Sequence, residues 1–164
     1  MDGVGRLEQV YALAYQCQSC KGFPETLLVQ RVGGKLTLCG RSPMEHVPVS
    51  TDIPKSIRTY YSQSVIAQRS GQILAGLFLL RTAIEQWARK FAPAPDYADR
   101  ALEAYMTTLP DDFKARFPSL RQIYEKISLD IHKATGSSEL YDAMLADFVE
   151  HFEARRLFKI ADPK

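Results

Sequence analysis

Two groupings of residues in this chain have the types and spacing for chemistry. The first is CQSC at 17 to 20, followed after eighteen intervening residues by Cys39. A Cys-x2-Cys pair with a second pair on a neighbouring hairpin would clamp one tetrahedral zinc ion, and the fourth thiol of that pattern would fall at position 42. Ser42 stands there instead, and a hydroxyl is a poor zinc ligand at neutral pH, so a filled shell would need His46 or another donor as the fourth ligand. Cys17, Cys20, Cys39 and His46 are thus the candidate ligands of a structural zinc. The alternative is a ribbon that has lost its metal and keeps three small, fairly apolar side chains. The second grouping is YEKISLDIHKA at 124 to 134, where Ser128 stands four residues ahead of His132. On a helix that spacing permits a hydroxyl-imidazole hydrogen bond. An imidazole there could carry a catalytic proton, fix the helix against a neighbour or face solvent. The hydrogen-bonded, half-buried histidine is the preferred reading.

The elements that must position these residues divide the chain in two. QVYALAYQC, TLLVQRV and KLTLCG are short runs rich in β-branched, aromatic or leucine residues, and Gly33 and Gly34 make a hairpin turn between the last two. The stretch at 41–54 contains Pro43, Pro48 and Pro54 and has no helical period, so it reads as a connector. A small β-rich unit over residues 1–50 and a helical bundle over 51–164 are expected.

From Pro54 the apolar residues recur with a helical period. Asp52 is a plausible N-cap for the first helix, with Pro54 near its first turn. A central helix should bury Ile73, Leu74, Leu77, Leu80, Ile84, Trp87, Ala88 and Phe91. A third carries Ala98, Leu102 and Tyr105, and DDFKARF reads as a short helical turn. The helix of the opening stretch turns Leu120, Ile123, Tyr124, Ile127 and Ile131 inward and should be closed by Gly136. The last, capped by Ser137 or Ser138, buries Tyr141, Met144, Leu145, Phe148 and Phe152. Four or five helices behind a small β unit make a mainly α chain.

A balance of 21 basic and 19 acidic residues, for a net charge of +2, does not demand nucleic acid as a partner. The most apolar run, ILAGLFLL at 73 to 80, is too short to cross a bilayer, and the opening residues have no leader pattern. A cytoplasmic protein without a membrane partner is expected. Three cysteines are an odd count in such a chain and favour thiols or metal ligation over disulfides.

The cysteine knuckle, the proline-led helix, LLRTAIEQ at 79 to 86 and YEKISLDIHKA resemble bacterial proteins of the domain of unknown function 4145 family, which looks like a branch of the HEPN superfamily of helical bundles. The resemblance covers residues 54–158 as the bundle and 11–46 as a ribbon-like extension. It implies a homodimer. Active HEPN domains are metal-independent ribonucleases in which an arginine precedes a histidine on one helix; the imidazole moves the 2′-hydroxyl proton and the cation stabilises the phosphorane charge. His132 matches that histidine. The arginine is missing, and the only cation in the window is Lys126, which lacks the bidentate fork that suits a phosphate.

The resemblance therefore implies a non-catalytic HEPN-like interaction and dimerisation module of a bacterial or phage-related defence or regulatory system, with an unknown protein or RNA partner. The alternatives are a ribonuclease using His132 with Lys126 in a dimer cleft, and a scaffold that recognises its partner through the ribbon-like unit. Arg81 and Glu85, at i and i+4, could form an intrahelical ion pair worth about 0.2 to 0.5 kcal/mol. A polar network of Arg81, Glu85, Ser128 and His132 between helices is the preferred reading. Arg155, Arg156 and Lys159 read first as a solvated helix end complementing the macrodipole, and second as an RNA-contacting patch. Tyr60, Tyr61, Phe78 and Trp87 have helical spacing and read as core.

Overall fold

A computed structural model describes residues 8–22, 24–42, 47–92 and 97–162. The chain divides into two compact units, Met1–His46 and Val47–Lys164. In the first unit, β1 (Glu8–Tyr15), β2 (Glu25–Val32) and β3 (Lys35–Ser42) form an antiparallel sheet in that order. Val32 pairs with Lys35 across Gly33 and Gly34, and the φ of 62° at Gly33 suits a residue without a Cβ. The β2–β3 register shifts between Leu28 and Val29: Leu28 faces Gly40, Val29 faces Leu38, and Cys39 is the extra residue of a bulge. Tyr11, Leu13, Val29 and Leu36 line a depression of about 380 Å³ on one face of the sheet.

The second unit holds six helices among the described residues, because DDFKARF closes into a helix of its own. They are α1 (Arg58–Arg69), α2 (Ile73–Ala88), α3 (Ala98–Thr107), α4 (Asp111–Arg116), α5 (Leu120–His132) and α6 (Ser138–Leu157). The core centres on Trp87, which meets Phe91, Tyr105 and Phe152 edge-on at 5.3, 6.3 and 5.6 Å between ring centroids. Leu77, Leu80 and Ile84 of α2 are fully buried with it, as are Leu102, Ile127 and Phe148. Leu74 departs from the expected stripe and stays 39% exposed. Gly76 lets α1, α2 and α6 approach closely: a Cβ there would lie 3.0 Å from Tyr141 Cε2 and 3.1 Å from the Ser64 carbonyl oxygen.

Two expected caps lie elsewhere. Asp52 does not cap α1, whose N-cap is Ile57 after a 3-10 turn at Lys55–Ile57; its carboxylate instead accepts from Arg156 at 2.9 Å. Gly136 does not close α5. Ala134 takes the left-handed conformation with φ 51°, donating to Ile131 O while Thr135 donates to Asp130 O. That pair of bonds is the Schellman arrangement. Ser137 caps α6 as expected, accepting from Leu140 N at 3.1 Å.

Candidate functional site

Arg81 and Tyr124 bring α2 and α5 together. The guanidinium donates through Nη2 to the Tyr124 hydroxyl at 2.7 Å and lies 4.8 Å from the ring centroid. One contact thus combines a charge-assisted hydrogen bond with a cation-π attraction. The other members of the expected network lie apart from it. Glu85 accepts from Arg89 at 3.0 Å, one turn onward rather than one turn back. Among the described residues Ser128 Oγ is buried without a hydrogen-bond partner, and His132, the last residue of α5, is exposed. The Ser128–His132 hydrogen bond is therefore not made: at the helix terminus the imidazole reaches water while the hydroxyl turns inward. Lys126 is also exposed. Six residues from His132, it projects about 120° away round the helix, so the two do not converge within one chain.

The cysteines supply half of a knuckle. After β1, Cys17 accepts Lys21 N at its carbonyl at 2.9 Å, and Lys21 takes a φ of 47°. The Cys17 thiol is held below its ordinary range, first by the Cys20 backbone N–H, then by the Cys20 side chain and the Ser19 N–H. Such donors suit a thiolate. Cys39 stands on the β3 bulge, with Sγ 3.6 Å from Gln30 Oε1 and 3.5 Å from Thr37 O. Among the described residues no group of three or more Cys, His, Asp or Glu is placed to hold a metal ion. His46 lies outside the described residues. Cys39 Sγ faces Gln30 of β2, so the described donors do not by themselves make a four-ligand zinc shell.

A buried polar cluster that includes two residues of α6 does not follow from apolar periodicity. Tyr105 of α3 and His151 and Arg155 of α6 are buried together. His151 Nδ1 lies 2.6 Å from the Pro118 carbonyl oxygen. A carbonyl only accepts, so Nδ1 carries the proton and Nε2 of the neutral ring accepts from the Tyr105 hydroxyl at 2.5 Å. That hydroxyl in turn accepts from Arg155 Nη1 at 3.0 Å. The guanidinium lies over Trp87 and Tyr105, 4.9 and 5.4 Å from the ring centroids. Its Nη2 faces Ile160 O, Ala161 O and Asp162 Oδ1 at 3.2 to 3.4 Å.

Burial lowers the His151 pKa to about 4, with Arg155 adding to the effect and the bond to Pro118 opposing it; burial raises that of Tyr105. Every proton in the chain from Arg155 to Pro118 has an acceptor with the imidazole neutral. The cluster is a structural clasp joining α3, α6 and the α4–α5 connection. Arg155 is therefore not part of a solvated helix end: its side chain is 3% exposed. The spacing could have revealed it, since positions 141, 144, 148, 151, 152 and 155 continue a single face of α6.

Trp87 and Tyr61 are core residues and Tyr60 is half-buried, but Phe78 is 54% exposed on the outer side of α2. No helix among the described residues is long and apolar enough to cross a membrane. No family model, no curated protein and no solved structure matches the chain.

Proposed function

We propose that the chain is a non-catalytic helical interaction module that pairs with a second copy of itself through the outer face of α2. The observation that carries this reading is Phe78, 54% exposed on the side of α2 away from the buried Leu80 and Ile84, with Leu74 one helical turn before it at the edge of the buried stripe and 39% exposed. Both sides of one helix are apolar and the core covers one of them. The ionisable groups between the helices support the same reading. Arg81 is committed to Tyr124, Glu85 to Arg89, and Tyr105 to His151 and Arg155. The setting implied by the HEPN-like resemblance is a bacterial or phage-related defence or regulatory system.

Light scattering at tens of micromolar should give twice the chain mass, and Phe78→Glu should give the single mass with an unchanged helical circular dichroism spectrum. A monomeric wild type would remove the proposal. The competing ribonuclease reading is tested with structured RNA in EDTA. Cleavage by the wild type that disappears in His132→Ala would establish it. A second reading, partner recognition through the β unit, is favoured by the exposed Tyr11, Leu13, Leu36 and Leu38 on its sheet. It requires that a partner held by the full chain be lost from residues 47–164.

A further inference from the structure

The end of α6 and the segment before α1 enclose two adjoining cavities of about 440 and 460 Å³ that share Thr51, Asp52 and Asp162. Among their described lining residues are six cations, Lys55, Arg58, Lys90, Arg155, Arg156 and Lys159, against the two carboxylates of Asp52 and Asp162. Asp52 is committed to Arg156 at 2.9 Å with its side chain 9% exposed. Asp162 differs: its carboxylate reaches the buried Arg155 at only 3.4 Å while its own side chain stays 63% exposed. Lys55 and Lys159 form no ion pair among the described residues and are exposed. A bowl with this excess of positive charge, a buried guanidinium at its wall and one loosely held carboxylate is complementary to an anion.

We infer that this bowl receives an acidic peptide segment of a partner protein, and that Asp162 holds the place of one of its carboxylates. The inference rests on the reading of the chain as an interaction module and supplies the chemistry of its partner. The guanidinium groups present already bind peptide. Arg58 donates to the carbonyls of Ile53 at 2.8 Å and Thr51 at 3.1 Å, and Arg155 donates to those of Ile160 and Ala161 as well as to Asp162. A nucleic acid would be served by rings on which bases stack. Phe152 is the one aromatic ring among the described lining residues, and it is buried. An incoming acidic segment displaces the Asp162 carboxylate, gains Arg155, and meets Lys55 and Lys159 at the rim.

The test uses the full chain and a fluorescein-labelled hexa-aspartate peptide, read by anisotropy, with a hexa-asparagine peptide and a uridine decamer as comparisons. Hexa-aspartate should bind and hexa-asparagine should not. Lys55→Ala and Lys159→Ala should each weaken binding about two- to fivefold, as rim charges do, while the exposed Lys133→Ala, with the same change of charge, leaves it unaltered. Asp162→Asn should tighten binding by a similar factor. Equal weakening by all three lysine variants, no response to Asp162→Asn, or no binding at all would overturn the inference. A uridine decamer that binds more tightly than hexa-aspartate and depends on the same two lysines would also overturn it, in favour of a phosphate site. Light scattering on the same samples separates the two readings. A dimer that ignores the peptide defeats the inference alone, whereas a monomer defeats the module.

Discussion

His151, rather than His132, is the histidine on which the bundle depends, and its neutrality makes stability respond to acid. The ordinary imidazole pKa is 6.5 and the folded value about 4. Between those values the unfolded chain takes up a proton that the folded chain refuses. The contribution of His151 is therefore complete above pH 6.5 and is lost as pH falls toward 4, amounting to about 3 kcal/mol. Urea denaturation at pH 7, 5.5 and 4.5 should show the midpoint falling, and His151→Gln should flatten that dependence while lowering stability at pH 7. At fixed pH, Tyr105→Phe strands His151 Nε2 and Arg155 Nη1 in the interior and should cost about 1 to 3 kcal/mol in the same assay. A loss below about 0.3 kcal/mol would mean that water replaces the hydroxyl. The sequence drew attention to His132 because it stands four residues after Ser128 near the end of a helical stretch. It concealed His151, and set Arg155 at a solvated helix end, because a stripe counted in apolar residues skips the polar ones that lie on it.

At the scale of elements, strands and helices were legible wherever composition, a period or a turn pair stated them: the β-branched, aromatic and leucine-rich runs on either side of Gly33 and Gly34, and the repeats around Trp87, Ile127 and Phe148. Helix ends were less so. Gly71 ends α1 in the left-handed conformation with φ 76°, donating to Gln68 O while Gln72 donates to Ala67 O, and glycine signals such an end. The same geometry at α5 falls on Ala134 although Gly136 is two residues away, because Thr135 N reaches Asp130 O only if position 134 makes the turn. Nothing in the residue type announces it. Ala134 thus holds a conformation that L side chains resist, and Ala134→Gly should raise the stability by about 1 kcal/mol, less the entropy glycine adds to the unfolded chain. Gly71→Ala should lower it. Thermal unfolding of the two variants should move in opposite directions, and a destabilised Ala134→Gly would show that strain at this cap is negligible.

At the scale of the whole molecule, the loss of helical period over 41–54 set the expected division after residue 50, whereas the two compact units divide between His46 and Val47. The connector lacks periodicity, so nothing in its pattern shows that it joins the bundle. Val47 and Ile53 are nevertheless buried, Ile53 fully, and the Ile53 and Thr51 carbonyls accept from Arg58 while Asp52 accepts from Arg156. These contacts make residues 47–54 a strap across the start of α1 and the end of α6. Residues 47–164 should then unfold cooperatively with the helical spectrum of the same residues in the full chain. A fragment beginning at Lys55 loses the Ile53 side chain, worth about 1.5 to 3 kcal/mol of burial, and leaves Arg58 and Arg156 without those acceptors. It should melt at clearly lower temperature than residues 47–164. Equal melting temperatures would mean that the strap lies on the bundle without stabilising it, and a failure of residues 47–164 to fold would mean that the helices need the β unit to form their core.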